Sequence, residues 1–310
     1  MTGKLIDVSR ILPIRFGNRL SRASCASLIV LTLAALTYPQ EQTPDKQEDQ
    51  PNREAQLAAM RKIAEGIKVA TINDGPDVAE MIAAPLFRFN DPARDFSDGS
   101  IWGYGKKGRP AAFLSLSLHP NNGTLGWLYE INSLSSRPMQ PTIPGMPNWS
   151  TRASGLEFQP LAGAPPAAAK DVGRSRQLRE LSAKFVGFES FRKTPNAKPE
   201  RYELRLIPRP IYRYSDPDTG LIDGAIFLMT YGTNPEIVLV IEAVTEGEKP
   251  AWKYALTRIS YAELHVEFDK REIWNPPHVQ GTNASEPYWL FFRPVRPDEQ
   301  QQLTDSKQAK

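Results

Sequence analysis

Hydrophobic positions change their period along the chain. An apolar run free of charged residues occupies 23–36. At 52–67 the apolar side chains Leu57, Met60, Ile63, Ala64 and Ile67 fall on one face of a helix that Asn52 can cap. From 86 onward apolar and polar residues tend to alternate, which predicts strands at 86–89, 100–104, 110–118 and 124–133. Asn90-Asp91-Pro92 ends the first, and Asn121-Asn122-Gly123 turns the chain back into the last, so these strands read as an antiparallel meander. The stretch 137–166, with seven prolines, is an irregular crossover. Pro165-Pro166 then opens a helix over 167–186 with Val172, Leu178, Leu181 and Phe185 as its buried stripe. Six further strands follow at 201–214, 222–231, 236–245, 252–259, 264–274 and 288–293. Of these, 237–241 is continuously apolar, as a strand buried on both faces must be.

The elements predict an α+β fold: an antiparallel β-rich domain of about nine or ten strands in two groups, with an N-terminal amphipathic helix and one helix between the groups. Along the 310 residues, 1–37 read as a signal peptide or N-terminal membrane anchor. A disordered linker is expected at 38–51, a helical lead-in at 52–84, a single β-rich domain at 85–295 and a disordered tail at 296–310. The 28 prolines favour interrupted strands over a helical bundle.

Charge changes the picture only at the start. The formal charge is +3, but residues 1–36 hold five of the 38 basic and one of the 35 acidic residues, leaving 33 against 34 and a net charge of −1. The basicity belongs to the n-region of an export signal and gives no support to nucleic-acid binding. The apolar run spans about 21 Å as a helix, short of a roughly 30 Å bilayer core, so membrane contact is expected only through 23–36, and only if it stays uncleaved. The single cysteine, Cys25, lies inside that run. An exported mature chain therefore has no disulfide or thiol chemistry, and its setting is extracytoplasmic, periplasmic or secreted.

Familiar catalytic patterns fail in their context. Gly103-Tyr-Gly105-Lys-Lys-Gly108 spells a phosphate loop but sits between two strands. Asp218-Thr-Gly220 occurs once, inside a turn, and Ser190-Phe-Arg-Lys193 has no partner motifs. What remains is a set of candidates. His265, Glu267 and Asp269 alternate along a strand and so share a face that can supply acid and base; its bland reading is the wet side of a strand whose Leu264, Val266 and Phe268 face the core. Arg201, Arg205, Arg209 and Arg213 recur every fourth residue as a track for an anion, or as charged guards on a strand edge interrupted by Pro208 and Pro210. Aromatic-x-aromatic pairs such as Trp102/Tyr104 and Tyr212/Tyr214 are either a ligand platform or cross-strand core packing. No cofactor and no metal site is expected.

The runs Leu204-Arg-Leu-Ile-Pro-Arg-Pro-Ile-Tyr-Arg-Tyr214, Asp223-Gly-Ala-Ile-Phe227 and Gly232-Thr-Asn-Pro-Glu-Ile-Val-Leu-Val-Ile-Glu-Ala243 resemble an uncharacterised family of predicted-secreted bacterial proteins. The resemblance spans about 86–294 and implies one coherent domain in an exported setting. It carries no catalytic residues and no substrate. The function expected is binding of a protein, or of an extracellular or envelope polymer such as a polysaccharide, without catalysis. The rivals are a hydrolase-like enzyme using the His/Glu/Asp face on an anionic substrate, and a structural envelope component.

Overall fold

The computed structural model describes residues 53–71, 78–91, 96–105, 107–121, 124–146, 149–192, 197–246, 249–279 and 285–305. The expected signal segment, linker and Asn52 cap lie outside them. Helix α1 (Arg53–Glu65) buries Ala59, Met60 and Ala64, and gives way to two short strands, β1 (Lys68–Thr71) and β2 (Val78–Ala79). The lead-in at 52–84 is therefore helical only in its first part. Both strands belong to a small sheet in the order β2-β1-β7, where β7 (Met139–Thr142) comes from the crossover read as irregular.

The first strand group forms a five-stranded antiparallel sheet. Strands β3 (Phe87–Asp91), β4 (Phe96–Tyr104), β5 (Ala112–Asn121) and β6 (Thr124–Ser133) run as the expected meander, and β17 (Tyr288–Pro294) returns from the far end of the chain to pair with β6. The β5–β6 register pairs Asn121 with Thr124, leaving Asn-Gly as the two-residue connection. On one face Trp102, Tyr104, Leu114, Leu116, Trp127 and Tyr129 pack under α1. The other face presents Ile101 and Phe113 to the second sheet.

That second sheet has nine strands: β8 (Gln159–Pro160), β9 (Phe185–Phe191), β10 (Glu200–Leu206), β11 (Tyr212–Asp216), β12 (Leu221–Tyr231), β13 (Asn234–Glu246), β14 (Lys249–Arg258), β15 (Glu263–Phe268) and β16 (Arg271–Trp274). Their order is β16-β15-β9-β10-β12-β13-β14-β8, with β11 also on β12. At its centre β13 is buried on both sides: Val238 and Val240 meet the first sheet, while Leu239 and Ile241 point the opposite way. The sheet curls into a half-barrel. Tyr254 of β14 comes to 5.1 Å from Phe185 of β9 and 6.4 Å from Phe268 of β15, ring centre to ring centre, across the interior. Helix α2 (Asp171–Ser182) packs Leu178 and Leu181 into that interior.

Three expectations need correction. The inserted helix ends at Ser182 rather than 186, Val172 is 74% exposed, and Phe185 opens a strand. Between β10 and β15, the alternation in Phe185-Val-Gly-Phe-Glu-Ser-Phe191 finds partners on both sides, and sheet pairing prevails over helical spacing. Pro208 and Pro210 split 201–214 into β10 and β11, just as Asp269 and Lys270, both at positive φ (47° and 66°), split 264–274 into β15 and β16. Finally, the tail is helical over 297–305. Helix α3 (Pro297–Asp305) begins at a proline, and Glu299 accepts hydrogen bonds from Arg293 and from the Arg296 backbone N–H, fixing the helix beside β17.

Candidate functional site

The residues singled out from the sequence do not form one site. His265 and Glu267 stand on the face of β15 opposite Leu264, Val266 and Phe268. Asp269 has left the strand and pairs with Lys184 at 3.6 Å. His265 Nδ1 lies 2.8 Å from Glu272 and Nε2 3.2 Å from Glu263, so carboxylates outside the expected trio engage both ring nitrogens. Its ring stacks on Phe188 at 4.3 Å, and the Arg201 guanidinium caps Phe188 at 3.5 Å. Among the described residues no three His, Cys, Asp or Glu side chains gather as a metal site.

The arginines part company as well. Arg205 is exposed and, among the described residues, reaches the Gly232 carbonyl at 3.4 Å, and Arg209 is exposed in the proline break. Arg213 turns to α2, where it shares buried Asp223 with Arg174 and also holds Asp171 and Ser175. Tyr212 stacks on Tyr214 at 6.0 Å. Trp102 and Tyr104 are buried core side chains, the indole N–H donating to Ser100 Oγ and the phenol to the Ala64 carbonyl. They offer no surface to a ligand.

Two polar groupings went unnoticed in the sequence. Ser117 and His119, adjacent on one face of β5, are hydrogen-bonded at 2.9 Å. Burial pushes the imidazole down to about 4, keeping it neutral. The pair has the chemistry of a nucleophile and base, but the two residues are only 3% and 7% exposed. Between the sheets, buried Glu242 accepts from Arg109 at 2.5 Å and from the Tyr214 hydroxyl at 2.8 Å, with Lys253 at 3.5 Å. Arg109 and Lys253 both lie over the Phe158 ring, so this cluster fastens one sheet to the other.

An open recess lies at the barrel seam. Strand β14 pairs along its whole length with β13, but on its other edge β8 reaches only Lys253 and Tyr254. From Ala255 to Arg258 that edge has no paired strand among the described residues. Beside it opens a cleft of about 620 Å³, with Tyr254 and Leu256 of β14 on one side and Ile273 and Trp274 of β16 on the other. The segment from Ser154 to Gln159 also lines it. A Cβ at Gly155 would collide with the Ser133 carbonyl, so only glycine lets this segment lie so close to the end of β6.

Arg258 lines the cleft and is 8% exposed. Its Nη2 donates to the Pro277 carbonyl at 2.7 Å, and its own carbonyl accepts from Asn132 Nδ2. The guanidinium carbon lies 5.9 Å from the centre of the Tyr288 ring. The Tyr288 hydroxyl donates to Glu130 at 2.7 Å, and burial followed by that carboxylate holds the phenol well above its ordinary value, hence neutral. Five separate stretches of chain build this site. Its one sequence signal is an arginine at the end of an apolar strand.

Compared with protein-family models, curated proteins and solved structures, the chain matches none.

Proposed function

We propose that this chain is an exported, non-catalytic binding module that takes an extended segment of a protein partner into the seam cleft. The observation that carries this is the edge of β14 from Ala255 to Arg258, which has no partner strand among the described residues, ends where the Asn132 amide meets the Arg258 carbonyl, and faces a cleft walled by Leu256, Ile273 and Trp274. A strand edge supplies main-chain hydrogen bonds to an added strand, and apolar walls select its side chains. The exported setting rests on the basic n-region and apolar run at the start of the chain. Binding without turnover accords with the buried Ser117–His119 pair and with the engagement of both His265 nitrogens by carboxylates.

Trp274 lines the cleft and, partly exposed, packs against the half-barrel core, so Trp274→Glu tests the cleft with the melting temperature as the check on the core. Full-length wild-type chain should capture a protein from an envelope extract of the parent cells, and the variant should lose at least about 90% of that capture at an unchanged melting temperature. Equal capture by both chains, capture of polysaccharide alone, turnover of ester or glycoside substrates, or self-association as the only interaction would each overturn the reading.

A further inference from the structure

Resting on that reading, we infer that the bound segment ends in a free carboxylate and that the Arg258 guanidinium receives it. The inference starts from a charge that lacks its counter-charge. Buried ions in proteins are paired as a rule, because an uncompensated charge loses its hydration and gets nothing back. The other well-covered arginines obey this rule: Arg109 has Glu242, Arg174 has Asp223, Arg293 has Glu299 and Arg88 has Asp98. Arg258 has no ion pair among the described residues. Its Nη1 finds no hydrogen-bond acceptor there and is closed to the cleft, and Nη2 already donates to the Pro277 carbonyl, so an incoming anion would meet the remaining edge of the guanidinium. Tyr288 cannot serve as the anion, since it is neutral and gives its proton to Glu130. Desolvation lowers the affinity of Arg258 for its proton, yet a guanidinium starts so high that it stays charged at any physiological pH.

The size of the missing charge identifies the group. One guanidinium balances one negative charge, and its planar fork matches the two oxygens of a carboxylate. Exposed Glu157 and Glu286 line the same cleft and oppose a dianion more strongly than a monoanion. Solvent screens those two acids, so they leave a monoanion beside Arg258 tolerable. The shape of the recess then favours a chain end over a side chain. A volume of about 620 Å³ lies within the range of small-ligand sites and suffices for the last few residues of a chain. Arg258 is also the last residue of the unpaired β14 edge, where a strand added along that edge would end.

The test uses the full chain and a pool of fluorescent apolar pentapeptides, made once with a free C-terminus and once as the C-terminal amide. Wild-type chain should bind the acids, with the amides at least about tenfold weaker by anisotropy. Arg258→Gln should bind both forms alike, and Arg258→Lys should fall between. Because Arg258→Gln removes a buried hydrogen bond, the acid-against-amide comparison on wild-type chain decides the matter even if that variant fails to fold. Acids and amides binding equally well would overturn the carboxylate while leaving strand addition standing. Neither form binding, with a hexuronate oligosaccharide taken up instead, would overturn the peptide occupant and the proposed function together. If none of the three probes binds, both fall.

Discussion

At His119 burial works against protonation, and the consequence is a stability that depends on pH. The imidazole titrates at about 4 in the folded protein against 6.5 for the free side chain. Between those values the unfolded chain takes up a proton that the folded chain refuses, so unfolding is favoured as the pH falls through the window. The contribution is fully present above about pH 6.5 and diminishes by up to about 3 kcal/mol on the way to pH 4. Urea unfolding at several pH values should therefore show wild type losing more stability than His119→Gln between pH 6.5 and 4. Parallel curves would mean that His119 charges freely in the folded state. Ser117, His119 and Arg258 share one lesson about reading residues singly. Each looks ordinary in its strand, and its character comes from what burial removes rather than from its neighbours in sequence.

At the scale of elements, the hairpin of β15 and β16 carries a visible cost. Its two turn residues, Asp269 and Lys270, adopt positive φ angles of 47° and 66°, the region that favours asparagine and glycine. Replacing them together by Asn and Gly should raise the unfolding free energy by about 1 kcal/mol, since the ion pair given up to Lys184 is exposed and contributes little. An unchanged or lowered urea midpoint would show that the turn is not under strain. This turn also marks where sequence reading stopped working. The period-two pattern continues through Asp269, so nothing local says that the strand has ended and that Asp269 has left the face of His265. The meander through β6 and the doubly buried β13 were legible because turn residues and an unbroken apolar run are local signals. Strand β9 was not, since Phe185 satisfies a helical stripe and a strand alternation equally and only its partners decide. The α3 tail reads as disorder because it is polar, although Pro297 followed by Asp298 and Glu299 is helix-opening chemistry and Glu299 finds its cations in the fold.

For the molecule as a whole, β13 is a wall common to two cores, since its successive residues enter them alternately. The two sheets should therefore unfold together. Leu116→Ala, on the side of α1, and Leu239→Ala, inside the half-barrel, should each lower one common transition by about 3 kcal/mol, seen alike by tryptophan fluorescence and far-UV circular dichroism. A separate early transition in either variant would divide the molecule into independent halves. The candidate site belongs to this scale too, which is why the sequence hid it: β14, β16 and the crossover meet only once the sheet has curled. The open seam has a further consequence for the protein when nothing is bound. An unpaired strand edge beside apolar walls invites a second copy to add its own strand, the usual first step towards aggregation. The cation at the end of that edge makes such sticking unfavourable, because another copy would cover the charge without bringing an anion to it. A single charge would thus keep empty molecules apart in a crowded compartment, and only a partner that arrives with the opposite sign would lift the barrier.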